Sequence, residues 1–458
     1  MPLRINDLSR TAALCAASLA GLVAVFVVLQ ALSLALASDQ RIIKNIAKSI
    51  ELGQITEADA LMTPYGRFVE FWSDCNGISV NLGNIDDSMV YRLFASPTII
   101  RRRQENISSP CRWLVSDIRA GKIILKPYYR YWHGPQIYLR PLLSLTTISN
   151  IRVLNALLLI GAATFLLIQL ARQIGPWAIP ATIIPLAVGT DILAISASSS
   201  HSLVWGWALL SLAIMARLIQ TKSPTESVVI TLVFSFGVVA NFFDGLYSPA
   251  LVPTFIGFLV LSNGPLRGST SVAIRGGVIL VTFWFAGFCA SFASKWLLAT
   301  TVFGWTYIVT DLTAGMGQYT ALGHEKIGAG FLTATRVALH DLGLSLVIVS
   351  WAIALLYLAC ALLSKIINRT DVWQFAVLQI PLLIPIIWIE ALRNHSIAHP
   401  HYASRSLVLF AIVPLLAVIY VTKLATPRRP SGPRSLLTHL QQLMRGMRWS
   451  RGDVRMKT

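Results

Sequence analysis

The sequence predicts an all-α polytopic membrane protein of about ten transmembrane helices, with both termini cytoplasmic and a long first periplasmic loop carrying amphipathic helices. Three observations carry this reading. Of 458 residues, 55% are hydrophobic and only 13% charged, and the mean hydropathy of +0.64 lies well above that of a water-soluble domain. The apolar runs are long and do not alternate, which selects helices over barrel strands. Threaded alternately across a bilayer, they place every short basic connection on one side.

The first run is free of charge from Thr11 to Ser38 and follows Arg4 and Arg10. It exceeds the about 7 to 15 apolar residues of a signal peptide, so it is expected to remain as the first helix rather than be cleaved near "ALAS". Further charge-free runs lie at 153–171, 175–190, 192–216, 227–243, 245–266, 276–294, 342–364, 372–389 and 406–422. The run at 175–190 is interrupted by Pro180 and Pro185, which buried membrane helices tolerate because neighbours re-satisfy the freed backbone groups.

With the N-terminus inside, the connections carrying Arg172, Arg217 with Lys222, Arg267 with Arg275, and Lys365 with Arg369 are all cytoplasmic. The last helix exits on the same side into a basic tail, 424–458, next to Lys423. The net charge of +18 therefore reads mainly as a topology signal. The tail suits anionic headgroups; it offers no stacking platform for nucleic acid.

The transmembrane unit, 1–423, then leaves three larger segments on the outer face, the periplasm of a bacterial inner membrane. These are the loop 39–147, the loop 297–341 and the short segment 390–405. Cys75 and Cys111 share the first loop, and a disulfide between them suits an oxidising compartment. Cys15, Cys289 and Cys360 fall within spans. Asn106-Ile-Ser108 fits a glycosylation sequon. "RIIKNIAKSIELG" at 41–53 and "GFLTATRVALHDLG" at 330–343 have the period of amphipathic helices lying along a membrane surface. No internal repeat is visible.

No P-loop, nucleophile elbow or zinc-protease helix is present, which leaves nucleotide hydrolysis and ordinary hydrolase chemistry without support. The candidates for chemistry lie at span ends on the outer face. In "KPYYRYWHGPQIYLRPLL", Arg130 and Arg140 suit bidentate phosphate contacts, with His133 between them, and Trp132 suits stacking on a sugar. A plain aromatic belt at the membrane interface explains the same residues. In "EFWSDCNG", Asp74 beside Cys75 suits a fixed general base, and Asp39 is its positional competitor.

Asp244 in "ANFFDGLYSP" interrupts two apolar runs, and Lys295 with Trp296 in "FASKWLLAT" sits similarly. The bland alternatives are a turn for the first and a snorkelling lysine for the second. "RNHSIAHPHYASR" gathers Arg393, His395, His399, His401, Tyr402 and Arg405. The spacing of His395 and His399 allows a divalent metal, but no carboxylate beyond Glu390 completes one. The arginines favour a phosphate clamp.

These features resemble the GT-C superfamily of polyprenyl-phosphate-sugar glycosyltransferases. "YRYWHG", "RPLL", "NFFDGLYSP", "ASKWLLAT" and "RNHSIAH" are similar to motifs in a group of bacterial membrane proteins of that type. The resemblance implies an inverting transfer of sugar from a polyprenyl-phosphate-linked donor to a glycan or lipid acceptor of the cell envelope. A first-loop carboxylate, Asp74 or Asp39, would be the base, and Arg130, His133, Lys295, His395, His399 and Arg405 would face the phosphate. The acidic pair frequent after the first span in that superfamily is absent, since Gln40 follows Asp39. The competing readings are an O-antigen polymerase or ligase, and a lipid or glycan transporter.

Overall fold

The computed structural model describes residues 5–58, 60–62, 68–82, 87–99, 109–220, 226–243, 246, 248–263, 270–320 and 332–425. Asp244, the sequon at 106–108 and the tail from 426 lie outside them.

Helix α1, Ile5–Leu36, opens the chain. Helix α2, Asp39–Glu51, follows after one turn, with Asp39 at its positive end and Lys48 at its negative end. Ile42, Ile46 and Ile50 recur every four residues and are buried, so the amphipathic helix expected at 41–53 forms. A hairpin of two three-residue strands, β1 Ala60–Met62 with β2 Phe68–Glu70, and an isolated bridge between Thr98 and Lys126 supply the β pairing among the described residues. Helices α3 Trp72–Ser79, α4 Met89–Ala95, α5 Pro110–Ala120 and α6 Gln136–Leu145 complete the segment. The Ser109 side chain, Pro110 in the first turn and left-handed Gly121 delimit α5 as cap chemistry requires.

The remaining helices are α7 Ile148–Gln173, α8 Ala178–Gly189, α9 Ser199–Gln220, α10 Glu226–Phe243, α11 Leu251–Asn263 and α12 Thr270–Phe303. They continue through α13 Trp305–Tyr319, α14 Thr333–Leu342, α15 Leu344–Leu363, α16 Arg369–Val377 and α17 Leu383–Ala391. The chain closes on α18 Arg393–Ala398, α19 Pro400–Leu407 and α20 Leu409–Ala425. Among the described residues, eight helical stretches are long and apolar enough to cross a membrane, and α8 and α11 are shorter apolar helices. The protein is thus a helical, membrane-embedded chain.

The two largest of the molecule's hydrophobic cores lie in different parts of the chain. The large one runs through α7 to α12 and α14 to α20. A second belongs to the 39–147 segment and joins Ile42, Ile46 and Ile50 to Cys75, Ile78, Leu114, Leu139 and Leu143. Cys75 and Cys111 form a disulfide inside it, with Cα atoms 5.1 Å apart. Helices α10 and α12 meet backbone to backbone: a Cβ on Gly237 would strike the Trp284 carbonyl, and one on Gly287 the Phe234 carbonyl. Small residues permit that approach where apolar burial alone drives nothing, as between helices in lipid.

Two boundaries differ from the sequence expectation. The helix expected to end near 294 runs to Phe303, because buried Lys295 finds the Leu93 carbonyl at 2.9 Å and the Ser96 hydroxyl at 3.1 Å beneath α4. The piece at 330–343 forms α14, but Ala334, Ala338 and Leu342 bury it against its neighbours instead of leaving it on a membrane surface. The Glu390 carboxylate fixes its start by accepting from the Thr335 amide and hydroxyl.

Candidate active site

A cavity of about 110 Å³ lies where α3, the 128–136 stretch, the start of α9, the end of α10 and the α18–α19 turn converge. Its walls carry Trp72, Ser73, Asn76, Tyr128, Tyr131, His133, Ser200, Asn241, Phe242, Phe243, His395, His399 and Tyr402. They are aromatic rings and neutral polar groups.

Local sequence explains how each wall is set. A Cβ on Gly134 would strike the Phe242 carbonyl, so only glycine lets this backbone dock on α10, where its amide donates to that carbonyl at 2.9 Å. The docking holds the preceding His133 in the left-handed region, φ 55°, a conformation non-glycine residues reach at a cost. The ring is fixed by the Tyr128 carbonyl 3.1 Å from Nε2 and by the Tyr128 ring 5.3 Å away. A Cβ on Gly77 would strike the Ser200 hydroxyl, so glycine lets α3 rest on the start of α9 with the Ser200 side chain against its backbone.

On the third wall, Pro400 starts α19 and sharpens the turn that brings His399 over Tyr402, rings stacked at 5.3 Å. His395 lies 4.9 Å from His399. The Tyr402 and Ser73 hydroxyls hydrogen-bond at 2.6 Å, which ties this wall to α3. Beneath Tyr402, Arg405 stands 5.2 Å from the ring and is itself held by Asp191 at 3.1 and 2.5 Å, with His201 at 3.4 Å.

Burial sets the charge state of the lining. It pushes His133 down to about 4, aided by the nearby Lys295 charge and opposed by the Tyr128 carbonyl. It pushes His395 down to about 3, with His399 adding to the effect and the Leu246 carbonyl opposing it. His399 is lowered by burial as well. These imidazoles are therefore neutral bases near pH 7 rather than the cations expected of a phosphate clamp.

The other expected site residues have protein partners away from the lining. Asp74 is buried at the N-terminus of α9, where the Ser199 amide donates to it at 2.7 Å and Arg152 stands 3.9 Å away. Burial raises its pKa, against Arg152 and the Ser199 and Ser200 amides. Asp39 pairs with Arg92 at 2.9 Å and Arg140 at 2.7 Å; burial opposes its charge, but the two arginines hold its carboxyl below the ordinary value. Arg140 also donates to the Ser33, Ala37 and Asn81 carbonyls, so it fastens α1 and α2 to α6.

Trp132 is fully buried and donates to the Ser291 carbonyl at 2.9 Å, which leaves no face for a sugar. Lys295 is buried under α4 as described, 5.4 Å from the Trp132 ring. Arg130 pairs with Asp311 at 3.2 Å, and Trp296 donates to the Arg130 carbonyl. Arg393 pairs with Glu390 at 3.1 Å, and His401 packs edge-on against Tyr402 at 4.1 Å. Asp244 lies outside the described residues, directly after Phe243 of the lining. Among the described residues, no group of three or more His, Cys, Asp or Glu side chains is placed to hold a metal ion.

No protein-family model, curated protein or solved structure matches this chain. Of the expected set, His133, His395, His399 and Tyr402 come together. Sequence reasoning missed Trp72, Asn76, Tyr128, Tyr131 and Asn241. Asn241 is the most telling: it is 2% exposed, lines the cavity, and neither its Oδ1 nor its Nδ2 has a hydrogen-bond partner among the described residues. It stands in the same "ANFFDG" stretch whose carboxylate drew the attention. A buried amide without partners normally costs about 1–3 kcal/mol.

Proposed function

We propose that the chain is a membrane glycosyltransferase, moving a sugar from a polyprenyl-phosphate-linked donor to a cell-envelope glycan or lipid acceptor at the periplasmic face of a bacterial inner membrane. The observation that carries the reading is the cavity itself. It joins the long segment after the first helix to the histidine turn near the last one, two parts some 260 positions or more apart in sequence (Tyr131 to His395). Its aromatic faces suit sugar rings, and its amide and imidazoles suit hydroxyl groups.

The orientation rests on where helix ends meet. Gln220 donates to the Gln169 carbonyl, Gln173 to the Ser262 hydroxyl and Lys423 to the Gln173 carbonyl. The ends of α7, α9, α11 and α20 thus share the end of the bundle away from the cavity, the end that carries Arg172, Arg217 and Lys423. Counting α8 and α11 as spans supports a total of ten, and the positive-inside rule favours that end as the cytoplasmic one.

In this reading a neutral imidazole takes the proton of the acceptor hydroxyl as its oxygen attacks the anomeric carbon. The bond to the phosphate oxygen breaks, and polyprenyl phosphate leaves with the electron pair. The imidazolium so formed lies on the acceptor side of the anomeric carbon, across from the departing phosphate, whose charge grows during bond cleavage, so their attraction is greatest in the transition state. His399, next to both His395 and Tyr402, is the proton acceptor we favour.

The test is a cryo-EM map of the protein in nanodiscs with a polyprenyl-phosphate sugar. Density for the sugar phosphate beside His395 and His399 is the expected result. A lipid headgroup bound elsewhere, with a polar path crossing the bundle, would overturn the reading in favour of a transporter.

A further inference from the structure

At the end of the bundle away from the active-site cavity, a second and larger feature has no part in the chemistry above. A groove of about 710 Å³ runs between α8 and α15 over α20. Its volume falls within the range of ligand pockets, about 300–1,000 Å³. The walls are almost wholly apolar and face the bilayer, with Ile184, Val349 and Ile353 each more than half or close to half exposed.

The groove is closed at one end and open at the other. Toward the cavity, Gly189 of α8 sits against Leu346 of α15 and Val408 at the start of α20, so closely that a Cβ there would strike the Leu346 side chain. Toward the opposite end, the lining reaches Gly175, Trp177 and Lys423. Lys423 donates to the Gln173 carbonyl at 2.8 Å, which holds its ammonium at this mouth. Exposed Arg172, Lys365 and Arg369 flank the same helix ends. A half-exposed tryptophan beside a lysine is the composition of a headgroup boundary.

We propose that this groove is a binding site for an anionic glycerophospholipid of the leaflet opposite the active site, with one acyl chain between α8 and α15 and the phosphate at Lys423. The charge at the mouth selects an anionic headgroup, since each lysine near a membrane surface attracts such lipids. The closed end argues against the polyprenyl donor as occupant: a lipid whose phosphate lies at the cavity would have to enter where the helices converge. The proposal needs only the membrane location of the chain and stands whether or not the transfer reaction does.

The experiment is native mass spectrometry of the full chain released from nanodiscs of phosphatidylglycerol and phosphatidylcholine in equal parts. The expected result is one retained phosphatidylglycerol per chain. Val349→Trp with Ile353→Trp fills the groove with apolar side chains on a lipid-facing surface and should reduce retention at least tenfold. Lys423→Ala should lower the preference for phosphatidylglycerol about fivefold, with Lys423→Arg restoring it. Equal retention by wild type and the tryptophan variant, no headgroup preference, or displacement by added polyprenyl phosphate would each overturn the proposal.

Discussion

At the scale of single residues, the lining of the cavity and its supports make opposite predictions. Asn241→Leu removes a buried amide without partners among the described residues, so the variant should melt at a higher temperature while losing transfer activity. A merely structural asparagine would lose both or neither. His399→Ala should abolish turnover with little change in melting. Arg405→Ala, in contrast, leaves the Asp191 carboxylate buried without its partner and should destabilise the protein by about 3–5 kcal/mol, read as a fall in Tm in detergent.

The histidines also fix a pH dependence. His133 and His395 titrate near 4 and near 3 when folded, against about 6.5 when unfolded. The unfolded chain therefore binds more protons in that interval, and stability should fall as pH is lowered from about 6.5 toward 4 and 3. Above 6.5 both states are neutral and these groups contribute no slope. Thermal melts between pH 7 and 5 check this, and His133→Gln with His395→Gln should flatten the dependence.

At the scale of elements, the 39–147 segment packs around a core that it shares with the start of α7, and its disulfide crosses from α3 to α5 over 36 positions. Closing a loop of that length stabilises by about 2–4 kcal/mol in the chain-entropy account. Cys111→Ser should therefore loosen α3, which supplies Trp72, Ser73 and Asn76 to the cavity. Protease nicking within 39–147 and weaker substrate binding are the expected readouts, with the membrane helices unaffected. The amphipathic period of α2 was legible in the sequence because Ile42, Ile46 and Ile50 mark one face. The true end of α12 was not, since nothing local to Lys295 announces that the Leu93 carbonyl will receive it.

At the scale of the whole molecule, the proposed ten-span orientation predicts labelling by a membrane-impermeant maleimide. Glu57→Cys should react in intact cells and Asp371→Cys only after permeabilisation. The reverse pattern would place the cavity in the cytoplasm and remove the periplasmic donor from consideration.

The membrane class, the helical spans and the pairing of Cys75 with Cys111 followed from the sequence by itself, because hydropathy and the placing of two cysteines together between apolar runs are matters of composition and local pattern. It also marked His133, His395, His399 and Tyr402, which lie in short polar stretches between apolar runs. Tertiary structure alone decided what each polar group does. Arg140, Lys295 and Arg405 look like phosphate ligands in sequence, yet each is buried on protein oxygens contributed from distant parts of the chain. Asp74 reads as a base and sits at a helix N-terminus 125 positions away. A cation in a low-dielectric interior is held by whichever acceptors folding brings to it, and that choice is long-range. The sequence reading could name the charged groups, while only the fold showed that the cavity is lined by neutral ones.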